Sequence, residues 1–572
     1  MVAKILKFLN LEISGLHKAA YILGISAVLS QILGLLRDRL LAGTFGASQT
    51  LDVYYAAFRV PDFIFVSLGS LVSVGIIIPM LISRLDKNAD GSGLSSVMSM
   101  AGKKFVNNLF SAFTILISIV SALAFFFFPI IIPFLFPGFS AEAVNQTVLL
   151  GRILLLSPIF LSISNLFSSV VQVHNRFYIY ALSPILYNIG IIIGILVLYP
   201  FLGITGLAWG VALGAFLHLV MQIPFVLGEG YKPSLSLRLQ WKEVGEVFTV
   251  SLPRTITLSI QLISLMILTM QASRMTEGSI AIFSFSYNLE SVPLSIIAVS
   301  YSVAAFPLLS RFYTEGDTKK FIEHFTVALR HIIFWTTPAL VLFIVLRAQI
   351  IRVILGSGKF SWDNTKLTAA ALAIFALSLL AQSLVMLFIR SYYAAGNTRK
   401  PLLINCFSAM ITLISSVILV SLFEYSQFFR FFIERLFKVD GIPGTEILML
   451  PLAFSIGSMV NVILFWIFFE RDFPGMGKEA LGTLFHSFAA SVLMGGGAYI
   501  TLNLLAPNLD LNSFTGVLTQ GVVSGIVGIL VGMSILQILK NAEFKEMTKV
   551  FQERFWRRVW KVKIVGGEQT EL

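Results

Sequence analysis

One stretch of the sequence concentrates residues able to do chemistry. From Arg37 to Asp62 it reads RDRLLAGTFGASQTLDVYYAAFRVPD, which sets Arg37, Asp38, Arg39, Asp52 and Arg59 in or beside apolar sequence. Ionisable groups inside such sequence are costly to bury and tend to mark functional positions. Pro61 follows Arg59 by two residues and is expected to kink its helix or free a carbonyl. Guanidinium groups grip phosphate oxygens in pairs and stay charged in a partly dry site. A polar cavity that is cationic on balance would therefore take an anionic head group, such as a diphosphate. Arg254, directly after Pro253, is a further candidate for that cavity, and Glu290 a candidate ligand for a coupling ion. The plainer alternative is that these side chains reach for the membrane interface or pair with one another, as Arg37 and Asp52 could.

Other chemistry is poorly supported. The glycine runs GSGK at Gly356 and GMGK at Gly475 lack the upstream glycine of a phosphate-binding loop, and neither follows a strand pattern. No HExxH motif or nucleophile elbow occurs. His324 and His331 lie closest among the histidines, with nothing nearby to complete a metal site. The single Cys406 excludes an intramolecular disulfide or a cysteine metal cluster. The sequence therefore predicts no enzyme, no metal and no resident cofactor.

The elements that must carry these residues follow from composition. Of the 572 residues, 57% are hydrophobic and 12% charged, about half the charge of an ordinary soluble protein, which carries roughly 25%. Such a surface is tolerable only against lipid. A span needs about 20 apolar residues. Candidate spans run from 19–36, through 54–81 and 147–172 among others, to 514–539. They predict an all-α integral membrane protein of about 14 transmembrane helices. An even count puts both termini on one side. The loops on that side hold about 27 Lys and Arg against about 10 opposite, which places both termini in the cytoplasm. The net charge of +12 is then a loop bias and predicts no nucleic-acid partner.

The organisation expected is an amphipathic leader (1–18), an N-lobe of six helices (19–228), a polar linker (229–246), a C-lobe of six helices (247–470), two extra helices (481–539) and a basic amphipathic tail (540–572). Two segments read as helices lying in an interface, 424–440 with Arg430, Arg435 and Lys438 among aromatics, and the tail. A weak repeat pairs VHNRFYIYALSPILYN with AAGNTRKPLLINCFSA, and IIPMLISR with AFPLLSR, six helices apart. Parallel six-helix repeats are a transporter architecture.

Taken together, these residues resemble the MurJ (MviN) family of lipid II flippases, part of the multidrug/oligosaccharidyl-lipid/polysaccharide exporter superfamily. LGLLRDRLLAGTFGASQTLDVYYAAFRVPDF, beginning at Leu33, carries most of the likeness. PGF at Pro137, NRF at Asn175, PRT at Pro253, GKF at Gly358 and GNTRKP at Gly396 follow in order. The resemblance implies two six-helix lobes around a cationic cavity, with the last two helices forming a groove for a polyprenyl tail. It implies alternating access, driven by membrane potential or by a coupling ion (Na+ or H+), in the bacterial inner membrane. The substrate implied is lipid II, an undecaprenyl-diphosphate-linked glycan. Membrane lipids and cell-wall synthesis proteins would be further partners of a monomer. Arg37, Asp38 and Asp52 match polar positions of the family's cavity, and Arg59 a basic position of its second helix.

Several family charges are absent. Gln31 stands where the family has Arg. Phe65 and Val66 replace basic residues, Ser70-Leu71 a Glu-Gly pair, and Tyr287-Asn288 an Asp-Arg pair. Arg39 and Arg254 are the candidate substitutes, with Gln31, Asn288 and Glu290 as secondary site residues. The alternative functions are export of another lipid-linked oligosaccharide, then a drug exporter, which would want an acidic cavity, then a membrane glycan polymerase, which would want an exposed carboxylate in a large outer loop. A non-transporting scaffold is a third class.

Overall fold

The structure is a computed structural model and describes residues 16–72, 77–78, 80–81, 100–231, 233–549 and 552. Nearly all of the expected leader lies outside the described residues. So do the tail aromatics Phe551, Phe555, Trp556 and Trp560 with Arg554, Arg557, Arg558 and Lys561. Every regular element among the described residues is helical. Lipid offers backbone groups no partners, so a helix, which satisfies its own, is the element that such apolar sequence can form.

The principal helices in chain order are α1 (Leu16–Phe45), α2 (Gln49–Leu68), α3 (Met100–Leu135), α4 (Ala141–Leu154), α5 (Leu156–Val173), α6 (Phe177–Ile193), α7 (Ile204–Val220), α8 (Trp241–Ala272) and α9 (Ser279–Pro293). They continue as α10 (Ser300–Thr314), α11 (Thr318–Val345), α12 (Trp362–Ala394), α13 (Arg399–Tyr425), α14 (Gln427–Phe437), α15 (Met449–Asp472), α16 (Gly477–Leu505) and α17 (Phe514–Ile538). Thirteen described helical stretches are long and apolar enough to cross a membrane, against fourteen expected. The expected first span, 19–36, falls within α1. That helix has 30 residues and is not among the thirteen; it continues into Arg37-Asp38-Arg39. The expected span 147–172 is two helices that meet at Leu155.

The chain divides into two compact units, each assembled from separate stretches. The first is Met1–Leu289, Ile354–Ala371 and Thr398–Ala453, and the second Glu290–Val353, Leu372–Asn397 and Phe454–Leu572.

In the first unit, α6 packs on α1 and α7, and α8 on α2 and α13. The α6–α7 contact is glycine on glycine. A Cβ at Gly190 would overlap Gly214, and one at Gly210 would overlap the Gly194 Cα. Gly206, Gly210 and Gly214 recur every fourth residue, so one face of α7 is bare backbone. Between lipid-immersed helices, which gain little from hydrophobic exclusion, such close approach supplies the dispersion contact. Short α14 has Ser426 accepting from the Phe429 amide at its start and Lys438 in a left-handed turn (φ 58°) at its end. Glu434 faces inward to Thr445 Oγ1 (2.7 Å), while Phe428, Phe431, Phe432 and Leu436 are exposed. Arg430 and Arg435 are exposed beside these aromatics, and Arg435 lies over the Phe431 ring at 5.1 Å.

In the second unit, α11 packs on α10 and α16, and α16 on α17. Phe325, Phe388, Phe465 and Phe469 form its aromatic centre, with Phe325 and Phe469 stacked at 4.2 Å. The beginning of the tail is docked here. Residues 542–549 are helical, and Phe544 joins Phe334, Ala490 and Leu536 in a buried cluster. Glu543 is buried and accepts from Arg330 Nε (2.6 Å) and Thr483 Oγ1 (2.7 Å). Burial alone would raise its carboxyl, but the Thr483 and Arg330 hydrogen bonds more than offset this and hold it below the ordinary value.

Two outcomes follow from this packing. Gly210→Leu should force α7 off α6 and lower the thermal midpoint in lipid nanodiscs, by the equivalent of about 1–3 kcal/mol or more; an unchanged midpoint would remove the glycine contact as a source of stability. Because Glu543 is depressed in the folded state, tail docking should be at full strength at neutral pH and weaken as pH falls below the ordinary carboxylate value, 4.5, through the lower folded one. Limited proteolysis after residue 540 should speed up over that acid range, and Glu543→Gln should flatten the response.

Candidate functional site

The first unit brings most of the expected polar residues together, starting from a cap. Asp52 lies in the first turn of α2 and is buried. Its Oδ2 accepts from the Gly278 amide (2.6 Å) and its Oδ1 from the Ala281 amide (2.8 Å). These are the otherwise unpartnered donors at the start of α9, where a carboxylate also meets the favourable end of the helix dipole. The loop before α9 depends on glycine. Gly278 has φ +90°, and a Cβ there would overlap the Ala47 carbonyl.

Farther along α9, Asn288 Nδ2 donates to Asp38 Oδ2 (3.3 Å). The other oxygen of Asp38 takes two bonds from Arg37, from Nε (2.9 Å) and Nη2 (2.8 Å). Arg37 therefore pairs with its neighbour and not with Asp52, because both Asp52 oxygens are already committed to backbone amides. Asp38 is buried while Arg37 keeps 23% of its side-chain surface, so the guanidinium is held on one edge and open on another.

Arg59 lies seven residues after Asp52 on α2 and shares its face. Its Nε is buried with no acceptor among the described residues, and so is the hydroxyl of Tyr55 one turn earlier. Tyr55 meets Phe285 of α9 edge-on at 5.8 Å. Tyr54, Asp62 and Tyr187 belong to the same electrostatic neighbourhood as Arg37 and Arg59. Asp62, Ser157 and Tyr187 also line a cavity of about 20 Å³ beside Pro61, room for roughly one water. Helix α2 runs through Pro61 without a break and ends in the tight turn Gly69–Val72.

Tyr55, Asp62 and Tyr187 were not singled out from the sequence. Asp62 stood in the quoted stretch, three residues after Arg59 and so on its face. Tyr187 comes from α6 and carried no sequence signal. With Asp38 beside Arg37 and Asp62 near Arg59, the cluster is nearer charge balance than the expected cationic excess.

The remaining candidates lie apart. Arg39 reaches the Ile354 carbonyl (3.4 Å). Gln31 is half-buried about 9 Å up α1 from Arg37. Arg254 is exposed on α8, next to Thr255, which bonds Ser70 (3.0 Å). Ser70 is eleven residues from Arg59, so Arg254 is displaced from the cluster by about 16 Å along the helices. Glu290 belongs to the second unit, where Gln382 Nε2 (2.8 Å) and Ser378 Oγ (3.3 Å) donate to its Oε1. No group of three or more His, Cys, Asp or Glu among the described residues could hold a metal ion.

The short motifs turn out to be closures. The Lys359 amide donates to the Gly43 carbonyl (2.8 Å), and Gly358 (φ +55°) lies flat against that residue. Gly138 abuts the Ser273 carbonyl, and Thr276 Oγ1 donates to Glu446 (2.8 Å). With the Asp52 cap, these contacts join distant stretches of the first unit to one another. Asn175 in NRF (φ 57°) and Gly396 in GNTRKP (φ 71°) end their helices with the same pair of hydrogen bonds, a closure shared by the helix ends at Gly230, Gly316, Lys438 and Lys540.

Comparison with known proteins identifies the family and the fold. Residues 41–429 match the family described as lipid II flippase MurJ. A probable lipid II flippase MurJ of Buchnera aphidicola subsp. Baizongia pistaciae is 24% identical over 508 residues, covering 85% of this chain and 96% of that one. Among solved structures, a lipid II flippase MurJ in an inward closed conformation superposes with a TM-score of 0.71 at 22% identity, over 91% of this chain and 100% of the other. An inward-facing multidrug resistance MATE family transporter of the MOP superfamily superposes with a TM-score of 0.62 at 16% identity, over 80% of this chain and 99% of that one. Both share the fold.

The cap sets a direct expectation. Asp52→Ala leaves two buried amides unpaired, at about 1–3 kcal/mol each, whereas Asp52→Asn keeps one acceptor oxygen. Thermal midpoints in nanodiscs should fall in the order wild type, Asn, Ala; equal values for all three would mean that the cap is not what Asp52 contributes.

Proposed function

From the premise that this chain belongs to the MurJ family, we propose that it is a lipid II flippase that carries the undecaprenyl-diphosphate-linked head group from the cytoplasmic to the outer leaflet of the bacterial inner membrane. The observation that carries the reading is the pair of buried donors, Arg59 Nε and the Tyr55 hydroxyl, left without acceptors beside a half-open Arg37. Leaving such donors unmade costs about 1–3 kcal/mol apiece. A diphosphate supplies several acceptor oxygens and suits guanidinium groups in fork geometry. Family membership over 41–429 turns that anion from a general expectation into a particular one.

In this reading 19–228 and 247–470 act as lobes that rock about the head group, and 481–539 receives the prenyl tail. The protein works as a monomeric transporter rather than an enzyme, with both termini cytoplasmic and cell-wall synthesis proteins as neighbours. Arg37 is the contact group, kept in place by Asp38 and Asn288. Arg59 and Tyr55 complete the donor set, and Asp52 positions α9. The near-balanced charge of the cluster suits a site that must release its anion as well as bind it. The absent family charges keep a second reading in view, transport of a related lipid-linked glycan through the same site.

Complementation of bacteria depleted of their own lipid II flippase tests this, with externally exposed lipid II counted. Wild type should rescue. Arg37→Ala and Arg59→Ala should insert normally yet cut exposure by about 10- to 100-fold, as expected from losing charge-assisted hydrogen bonds of 1.5–3 kcal/mol. Full activity in both variants would remove the donor set as the site. Failure of a well-inserted wild type would favour the second glycan.

A further inference from the structure

A second buried polar site lies in the other unit and plays no part in the cluster around Arg37. Glu290 has no exposed surface. It stands about 16 Å along the axis from the start of the Ser279–Thr314 span, within one of the stretches long and apolar enough to cross a membrane. Its two oxygens differ. Oε1 accepts from Gln382 Nε2 (2.8 Å) and Ser378 Oγ (3.3 Å), while Oε2 is buried with no partner among the described residues. Gln382 also donates to Ser378 Oγ (2.8 Å), and the single Ser378 proton is shared between Oε1 and the nearer Phe375 carbonyl (2.7 Å), so these hydrogen bonds are tied into α12. The side chains bonded to Glu290 are both neutral, and no salt bridge to it is formed among the described residues. Directly after Pro293, where α9 ends, the helical path widens into a π turn over Leu294–Val299 before α10. Such wide turns favour sites where a helix must rearrange.

An ionised carboxylate with one bare oxygen in this setting costs several kcal/mol. Two species relieve that cost. A metal cation would need several oxygen ligands, but Gln382 turns its N–H donors toward the carboxylate, and Ser378 alone adds an oxygen. A proton needs only the bare oxygen. We propose that Glu290 is a proton-binding site of the transport cycle: in this conformation Oε2 carries the proton as an O–H group, and the proton passes to water when the wide turn after α9 opens the site. No other reactant is required; the O–H bond forms with a proton from one aqueous face and breaks to release it at the other. The coupling to head-group movement rests on the flippase reading, whereas the protonation of Glu290 does not.

Two measurements on the full chain test it. Infrared spectra in lipid nanodiscs at neutral pH should show a protonated-carboxyl stretch that disappears in Glu290→Gln, with no dependence on Na+. Absence of that band, or identical spectra for both proteins, overturns the site. So does stabilisation of the wild type by NaCl over KCl that Glu290→Gln lacks, which would make the site one for Na+. Should Glu290→Gln fail to insert, Gln382→Met keeps the carboxyl and removes one donor to Oε1, so the band must shift; an unmoved band assigns it elsewhere. In proteoliposomes, an imposed pH gradient should change wild-type lipid II flipping several-fold and leave Glu290→Gln unchanged. A clear infrared band with no gradient effect in the wild type overturns the coupling. Absence of any flipping beside a clear band strikes the flippase reading and leaves the proton site standing.

Discussion

The cap that Asp52 makes on α9 is the interaction on which the arrangement of the first unit rests. Two backbone amides of a helix start can be buried only if something accepts from them. Asp52 does so from the first turn of α2, more than two hundred residues earlier in the chain. Once α9 is fixed at that end, Asn288 falls beside Asp38, and Asp38 in turn takes Arg37 through two hydrogen bonds. The guanidinium that could meet an anion is thus oriented by a chain of partners that begins at a helix terminus. Gly278 serves the same end, since its amide is one of the two capped donors and a Cβ there would overlap the Ala47 carbonyl.

Buried polar groups fall into two sets in this protein. Some buried groups find partners, as Glu434 and Thr445 do under α14 and Tyr392 does with Asp472 in the second unit. For others the matching is incomplete. Arg59 Nε, the Tyr55 hydroxyl and Glu290 Oε2 are each buried and unpartnered among the described residues. Their cost is borne by the packing around them, and the proposed ligands would complete the bonding.

Legibility from the sequence differed by level. The spans could be read because apolar length alone decides whether a segment enters lipid. Charges within them drew attention to Arg37, Asp38 and Arg59. Tasks could not be read. Arg37 and Asp52 looked like a pair, yet Asp52 serves α9 and Arg37 serves Asp38. Arg254 looked like part of the same cavity, yet it lies far along α8. The short motifs at 137, 358 and 396 were visible as punctuation, but whether each was a site or a closure depended on what the fold brings opposite them.

The sequence by itself determined that this protein lies in a membrane, that its elements are helices, and which family it belongs to, because those follow from composition, periodicity and motif order along one chain. Only the tertiary structure decided which polar atoms are satisfied. Hydrogen bonding is a property of pairs, and the partners of Asp52, Asp38 and Glu290 come from helices that sequence distance does not connect. A burial pattern can be inferred from one residue at a time. An unmet donor beside a buried acid cannot, since it is defined by what the rest of the fold leaves unfilled.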